Sequence, residues 1–456
     1  MPLSRLMGCL LVAITCGLTA SVSSGAETVR SAKTVVQLAN LEGADGDACI
    51  LLGFDRPGDG GGGLCFWMDA PECKSDGGTV FPAKTAGHWR RISEGRRQAS
   101  WYGVFPPAGK PEAGDVEIQT KRLQGALNAS AGGVLEMNQG EYFLSDTLII
   151  PANTRLEGSG PVDVSTWRPG GTALRPFGAG TYRKWQDTGN PDKDRLRPLI
   201  VFGGSNVRLR NIGLMARSGE TDGSTLWEVG DLMPATKRCT LEHVAAHGRT
   251  VAACLLDATW SERNREMIDL HDGEISPSSM NECTIQRCFL SGLWGLMIRG
   301  VDVDLRDPRD YGENPEAWLW SYGGTSDLNV IACRIEGKAS PQVRVKDGGA
   351  FYSDAPLNNA HKGGQGHRFM ACNFRTNTRY MMKLGSTHRD AFFGCYFEGR
   401  YVIREEEGMK KENCAWLSND PDRTGWVRFV DCRFTTVDIH SHWDMDESSF
   451  WPPLGK

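Results

Sequence analysis

Five short segments in the second half of the chain end with an apolar residue followed by a base. They are Ile298-Arg299, Val345-Lys346, Met382-Lys383, Ile403-Arg404 and Ile439-His440. Because side chains alternate between the two faces of a β-strand, we expect the apolar member of each pair to face a core and the base to face solvent. If the segments stack on one another, their bases form one positively charged outer row, called the basic row here.

Closely spaced cations repel one another, so the basic row needs compensation from acids or from an anionic ligand. Asp347, Glu405 and Glu406 are nearby acids that would make it an ordinary solvated surface. The alternative is a groove for an acidic polysaccharide. There a cation neutralises a uronate carboxylate, and a base removes the adjacent C5 proton in a β-elimination.

A lysine or arginine can act as that base when like-charged neighbours depress its pKa. Lys383 is the first candidate because it lies between two other cations of the basic row. The further catalytic candidates are Lys346, Arg404 and Arg299.

Paired carboxylates offer a competing chemistry, the hydrolysis of a glycosidic bond. Two acid-rich segments, D-L-H-D-G-E and V-D-V-D-L-R-D-P-R-D, supply the candidates Asp269, Asp272, Glu274, Asp302 and Asp304. Such oxygen clusters also suit Ca²⁺, but neither segment matches an EF-hand loop, so the metal question stays open. Acid-rich loops are also common as plain soluble surface.

Aromatic residues mark a candidate sugar-binding segment. Trp318, Trp320 and Tyr322 lie in W-L-W-S-Y, inside a long insertion between two repeats. Their rings could stack on sugars, or could pack the insertion onto the fold. With His440, at the end of the basic row, they are the candidate substrate-binding residues.

These segments need a scaffold that brings distant parts of the chain into register, and a repeat provides it. Its template is an apolar residue, two residues, then Ile, Val or Cys, one residue, and an apolar or small residue. It is filled by Leu209-Ile212-Leu214, Leu241-Val244-Ala246, Ile285-Cys288-Leu290, Val330-Cys333-Ile335, Phe369-Cys372-Phe374, Phe392-Cys395-Phe397 and Phe429-Cys432-Phe434. The shortest spacing, 23 residues, fits one turn of a β-helix, and the two-residue gap fits a tight corner.

The cysteines of this repeat are predicted to form one interior row of reduced thiols. Coils stack at ~4.8 Å, which is longer than the ~3.8 Å between Cβ atoms that a disulfide prefers. A line of thiols is also no tetrahedral metal site. Better disulfide candidates are Cys49, Cys65 and Cys73, and Cys239 with Cys254.

The first residues predict export. Arg5, an apolar run from Leu6 to Leu18 and the small residues Ser24-Gly25-Ala26 have the order of a bacterial-type cleaved signal peptide, so the protein is expected to be secreted or periplasmic. No later segment resembles a membrane span, and a net charge of −5 gives no reason to expect a nucleic-acid partner.

Two further segments carry recognisable motifs. G-F-D-R-P-G-D-G-G-G-G-L-C-F-W lies among short strand and turn signals, and its glycine run is a turn because it lacks the Lys-Ser/Thr partner of a phosphate loop. After it, the spacing of Ile118, Leu123 and Leu127 predicts an amphipathic helix with Asp115 as its N-cap. That helix leads into A-L-N-A-S-A-G-G-V-L, then G-E-Y, then L-I-I-P-A-N-T-R-L-E-G-S-G.

This second series resembles the opening of the pectate-lyase superfamily, and the glycine-rich block resembles the small N-terminal module of bacterial members and of some phage tailspikes. The resemblance implies an all-β fold: a right-handed parallel β-helix (a solenoid) with an N-terminal capping helix and a small N-terminal β module. It also implies work on carbohydrates, allows a homotrimer, and leaves room for Ca²⁺, which β-helix lyases often use.

The predicted boundaries are 1–26 for the signal peptide, 34–105 for the module, 106–440 for the β-helix and 441–456 for a C-terminal tail. The expected function is cleavage of an extracellular, acidic polysaccharide by β-elimination. Glycoside hydrolysis and non-catalytic glycan binding are the alternatives.

Overall fold

The computed structural model describes residues 29–70, 73–84, 87–160, 171–177, 198–215, 228–231, 238–257, 280–301, 303–307, 317–322, 327–337, 349–354, 366–376, 382–384, 390–399, 428–435 and 444–445. The predicted signal peptide lies outside these residues. Within them, no helix has the length and apolar character needed to cross a bilayer.

The N-terminal module is a sheet of five described strands. In spatial order they are Val29–Ala32, Ala48–Leu51, Gly63–Met68, His88–Arg91 and Val80–Pro82. A short helix, Val35–Ala39, begins after Thr34, whose side chain accepts a hydrogen bond from the Gln37 amide. One face of the sheet packs on this helix around Trp67 and Trp89, whose rings meet edge to face at 5.2 Å.

Charged side chains hold the loops of the module. The Asp59 carboxylate accepts backbone N–H bonds from Phe54, Asp55, Arg56 and Gly61, and Asp76 accepts three from Gly78, Thr79 and Val80. Burial alone would raise the pKa of both carboxyls. The hydrogen bonds outweigh burial, so the pKa of each lies below its usual value.

The glycine run leads from a bend at Gly60 into the strand that begins at Gly63, and two of its carbonyls accept hydrogen bonds from a buried arginine. The Arg91 guanidinium donates to the carbonyls of Gly61, Gly62 and Gly78. A Cβ on Gly61 would lie 2.5 Å from the Phe54 side chain, so this close approach requires glycine. Arg91 also lies 4.8 Å from the ring of Trp101, in the segment that leads to the β-helix.

The rest of the described chain forms a parallel β-helix of three sheets, which confirms the predicted all-β solenoid. Sheet 1 has twelve described strands. They are Arg96–Gln98, Val134–Glu136, Arg155–Glu157, Arg208–Arg210, Thr240–Glu242, Thr284–Gln286, Asp304–Arg306, Asn329–Ile331, Arg368–Met370, Ala391–Phe393, Arg428–Val430 and Asp444–Met445.

Sheet 2 also has twelve strands in the described residues, and sheet 3 has four. Along its main path sheet 2 contains Gly140–Leu144, Thr172–Pro176, Ile212–Met215, Ala245–Asp257, Phe289–Val301, Ala317–Tyr322, Gly349–Asp354 and Met382–Leu384. Its branches are Leu148–Pro151, Pro198–Gly203, Glu228–Asp231 and Met280–Asn281. Sheet 3 contains Arg334–Gly337, Asn373–Thr376, Tyr396–Gly399 and Arg433–Thr435.

The two-residue gap of the repeat is a tight corner, as predicted. Its second residue adopts the left-handed conformation in successive coils, for example Arg287 (φ 51°), Ala332 (φ 53°) and Ala371 (φ 51°). This conformation turns the chain from sheet 1 toward the next strand within two residues. The following residue, a cysteine in these coils, then points inward.

The interior row of cysteines is confirmed, and its members are reduced: Cys288, Cys333, Cys372, Cys395 and Cys432. Each thiol lies within bonding distance of a backbone carbonyl; Cys372 Sγ, for example, is 3.2 Å from the carbonyl oxygen of Val330 in the preceding coil. Burial raises the pKa of Cys288 to about 12. These thiols are therefore packing residues.

Stacked phenylalanines complete the core of the last coils. Phe369 and Phe392 lie 4.6 Å apart with rings 9° from parallel, and Phe392 lies 4.8 Å from Phe429 with the same tilt. A second stack pairs Phe374 with Phe397 at 4.7 Å. The ring spacing equals the rise between coils, so each coil adds one ring to a continuous column.

The disulfide candidates of the module are wrong, because Cys49, Cys65 and Cys73 are free thiols. The pair of Cys239 with Cys254 stays a prediction. Cys49 and Cys65 are register partners. They belong to the hydrogen-bonded set of that antiparallel ladder, because the Trp67 amide bonds the Asp47 carbonyl two positions away. Such pairs keep their Cβ atoms about 5.5 Å apart, too far for a relaxed disulfide.

The predicted amphipathic helix spans Ala113–Ala129 and starts earlier than expected, after Glu112. Asp115 therefore lies in its first turn and is not the N-cap. Gln124 exchanges two hydrogen bonds of 2.8 Å with the backbone of Ile149, so the helix covers polar groups of the strand Leu148–Pro151.

Two strands fall outside the predicted domain limits. The strand Arg96–Gln98 belongs to sheet 1, although the predicted boundary places it in the module. At the other end, the strand Asp444–Met445 adds to sheet 1 beyond the predicted limit at residue 440.

Candidate functional site

Sheet 2 brings four late coils into register. One row consists of Leu296, Leu319, Phe351 and Met382, and Leu319 in it is fully buried. The next row consists of Met297, Trp320, Tyr352 and Lys383. Trp320, Tyr352 and Lys383 thus occupy equivalent positions on three successive coils, and are called the aromatic–lysine row.

The single basic row is wrong for the two members whose strands the structure describes. Lys383 is in register with Tyr352, whereas Arg299 is in register with Asp257 and lies two positions further along its strand than the residue equivalent to Lys383. The apolar–base pairs therefore mark different positions on different coils. Lys346, Arg404 and His440 lie outside the described residues; Lys346 precedes the strand Gly349–Asp354.

Two of the predicted aromatic residues flank the aromatic–lysine row. Trp318 and Tyr322 lie on the same strand as Trp320, two positions before and after it, and Tyr322 is in register with Asp354. Tyr352 and Asp354 escaped the sequence reasoning. A sequence signal for them exists: residues 319–322 (L-W-S-Y) are similar to residues 351–354 (F-Y-S-D), and the two segments pair in register.

The carboxylate candidates divide by position. Asp304 lies on sheet 1, where its carboxylate is 2.7 Å from the Arg306 guanidinium and 3.1 Å from the Asn329 amide. It is thus engaged, and it lies on another sheet than Lys383. Asp269, Asp272, Glu274 and Asp302 lie outside the described residues.

An ionic ladder occupies the first coils of sheet 1. Glu157 lies 3.5 Å from Arg96 and 3.2 Å from Arg210, which in turn lies 3.4 Å from Glu242. Each arginine of this ladder lies beside a glutamate, so the charges of the ladder compensate one another.

A histidine–aspartate pair was also missed. His367 Nδ1 lies 2.8 Å from Asp390 Oδ1, and that oxygen accepts the His367 backbone N–H at 3.1 Å. Both side chains are fully buried inside the β-helix, on adjacent coils. Because no substrate reaches them there, the pair is part of the core. Across the described residues, no group of three His, Cys, Asp or Glu side chains could hold a metal ion.

Comparison with known proteins gives matches in structure alone. No family model matches the chain, and no curated protein matches it. The full-length tailspike protein 2 of an Escherichia coli O157:H7 bacteriophage superposes with a TM-score of 0.59 at 12% identity, over 95% of this chain and 49% of that one. The chain shares its β-helix fold with phage tailspikes.

Two further structures agree. The enzymatically active domain of a phage tailspike protein 2 gives a TM-score of 0.58 at 13% identity, over 97% of this chain and 58% of that one. An Acinetobacter phage tailspike gives 0.53 at 13% identity, over 93% and 74%. This chain spans about half the length of the full-length tailspike. The matches support the predicted tailspike-like architecture, whereas membership of the pectate-lyase superfamily stays a prediction.

Proposed function

We propose that the protein is an exported enzyme, secreted or periplasmic, that cleaves an extracellular acidic polysaccharide by β-elimination on sheet 2. The observation that carries the proposal is the aromatic–lysine row. Trp320, Tyr352 and Lys383 share one register position on three successive coils, spaced ~4.8 Å apart. Leu319, the residue before Trp320, is fully buried, and successive residues of a strand lie on opposite faces of the sheet.

The reaction assigns separate tasks to the row. Aromatic faces at Trp320 and Tyr352 stack on sugar rings and fix the chain along the sheet. In its neutral form, the Lys383 amine takes the C5 proton of the uronate. The electron pair forms the C4–C5 double bond, the C4–O bond breaks, and the oxygen that leaves on the other fragment takes a proton from water. A cation that neutralises the carboxylate is needed to acidify that proton.

Arg299 is the described candidate for that cation, and Lys346 and Arg404 are the further candidates. Asp257 occupies the register position next to Arg299 on the adjacent strand. Ca²⁺ is the other group that could neutralise the carboxylate. Trp318, Tyr322 and His440 remain candidate glycan contacts.

The decisive experiment is incubation of the exported chain with a panel of acidic and neutral glycans. The unsaturated product of β-elimination absorbs in the ultraviolet, so a rise in absorbance identifies a lyase. New reducing ends without that absorbance identify a hydrolase, and retention without a product identifies a binding protein. EDTA added to the active reaction tests the need for Ca²⁺.

Lys383→Ala should lower kcat roughly 10²–10⁴-fold, the usual contribution of a positioned base. Lys121→Ala is the matched control, because Lys121 is an exposed lysine whose carboxylate partner, Glu117, lies on the same helix. Unchanged activity in Lys383→Ala would remove Lys383 from the mechanism. The polysaccharide-cleaving function would then rest on another residue of sheet 2.

A further inference from the structure

The central strand of the N-terminal module carries apolar residues on both faces of the sheet. Along the strand Gly63–Met68, Cys65 and Trp67 are buried, while the alternate residues Leu64, Phe66 and Met68 are 40%, 37% and 36% exposed. An antiparallel sheet with one solvated face normally alternates apolar and polar residues. This strand is apolar throughout, as in a sheet covered on both sides.

The exposed apolar residues form one patch across three neighbouring strands. Ile50 is in register with Leu64, and Ala48 with Phe66. On the other side of Leu64, the Ile92 amide bonds its carbonyl at 3.3 Å. Ile50 and Ile92 are 46% and 52% exposed. The members of this patch, called the outer module face, are Ala48, Ile50, Leu52, Leu64, Phe66, Met68 and Ile92.

We propose that a second copy of this chain covers the outer module face. The patch is on the order of several hundred Å², as large as the largest apolar patches of typical monomers, roughly 300–600 Å². Two such faces packed together bury about 1,000 Å², which is the area that a specific protein interface needs. A flat sheet face meets an identical face well, because two sheets pack with interdigitating side chains.

The chemistry of the face favours protein over glycan. Aliphatic Ile and Leu side chains offer no hydrogen bonds to hydroxyl groups, whereas Phe and Met are enriched at protein interfaces. Arg90 is in register with Phe66 and adds the residue type most enriched there among the charged ones. The contact is independent of the aromatic–lysine row, which lies on sheet 2 of the β-helix.

The test is sedimentation equilibrium of the full chain and of the chain without residues 1–26, over a wide concentration range. The double variant Leu64→Thr/Phe66→Thr keeps β-forming residues on the strand and leaves Cys65 and Trp67 in place. We expect oligomers in the wild type and a dissociation constant raised at least about tenfold in the variant, because each substituted side chain is buried in both copies. If the chain without residues 1–26 associates and the full chain does not, that result also supports the proposal.

Ile118→Thr is the matched control, since Ile118 is a singly exposed residue on the helix Ala113–Ala129. It should leave the dissociation constant unchanged. The second variant Ile50→Thr/Ile92→Thr changes two other strands and guards against a folding defect, which circular dichroism would detect. A wild type that stays monomeric in both forms, or an oligomer that folded variants of the face do not weaken, overturns the proposal.

Discussion

The N-terminal module and the last coils of the β-helix are stabilised in opposite ways. In the module, charged side chains form hydrogen bonds with the irregular backbone of the loops. The carboxylates of Asp59 and Asp76 accept from backbone N–H groups, and the Arg91 guanidinium donates to backbone carbonyls. In the last coils, columns of Phe and Cys repeat at the rise between coils. The difference follows from regularity, because strands satisfy their own polar groups and loops do not.

A repeating fold can therefore gain stability by placing the same apolar residue at each level. Phe369, Phe392 and Phe429 fill equivalent positions, so the ring of Phe392 packs between the other two without new geometry. The module has no such repeat. It needs side chains that match particular loops, and each of those side chains carries a charge whose loss would leave backbone groups of a loop without that hydrogen-bond partner.

The largest expected effect comes from removing the middle ring of the phenylalanine column. Phe392→Ala should lower the free energy of unfolding by about 3–5 kcal/mol, because it leaves a cavity between two stacked rings. Phe393→Ala is the matched control on the same strand, since Phe393 is 37% exposed. Chemical denaturation followed by circular dichroism measures both. Equal losses in the two variants would mean that the column does not stabilise the coils.

The module should respond most to Arg91. Arg91→Lys keeps the charge, but its single nitrogen cannot occupy the places of Nε, Nη1 and Nη2, which each donate to a different carbonyl. An unsatisfied buried polar group costs about 1–3 kcal/mol. Hydrogen exchange by mass spectrometry should show faster exchange in residues 48–91, while peptides from the last coils keep their protection. Arg56→Lys is the matched control, because Arg56 is an exposed arginine of the same module. Uniform loss of protection along the chain would show that module and coils unfold together.

The sequence pattern predicts the columns of the coils but not the hydrogen bonds that hold the loops of the module. Cys and Phe recur at fixed positions around a two-residue corner, so Cys372 and Phe392 could be assigned to the interior from the pattern alone. Arg91 looked like any strand arginine, because nothing local signals that distant glycine carbonyls surround it.

The candidate site was harder for a related reason. The insertions between sheet 1 and sheet 2 differ in length, so counting forward from each cysteine loses the register. Lys383 and Arg299 consequently appeared equivalent, although they lie two positions apart. Tyr352 was missed because its strand lacks a base. The rows are fixed by the strand pairings themselves, which join Met297 to Trp320, Trp320 to Tyr352 and Tyr352 to Lys383.

Lowering the pH should destabilise the module more than the last coils, which is the next smaller effect. The pKa values of Asp59 and Asp76 are lower in the folded module than in the unfolded chain, because backbone N–H groups hold the carboxylates. Their stabilising contribution is therefore complete above the unfolded pKa, ~3.9, and is lost as pH falls through the lower folded values. Denaturation at pH 7 and pH 3 should show a weaker module at the lower pH. Asp76→Asn should reduce this pH dependence; an unchanged dependence would exclude Asp76 as a source.

The smallest effect is expected for the ionic ladder of the first coils. Its charged side chains lie on regular strands and bond one another, and they hold no loop backbone. Arg210 bridges Glu157 and Glu242 and is 40% exposed, so solvent screens both contacts. Arg210→Gln should cost about 0.5–1 kcal/mol at low salt and less at high salt. Arg208→Gln, on the same strand but in another register row, is the matched control for denaturation at both salt concentrations. A larger, salt-independent loss of unfolding free energy would mean that the first coils depend on charged side chains for their stability, as the module does. Regular stacking of strands would then not be sufficient to stabilise a coil.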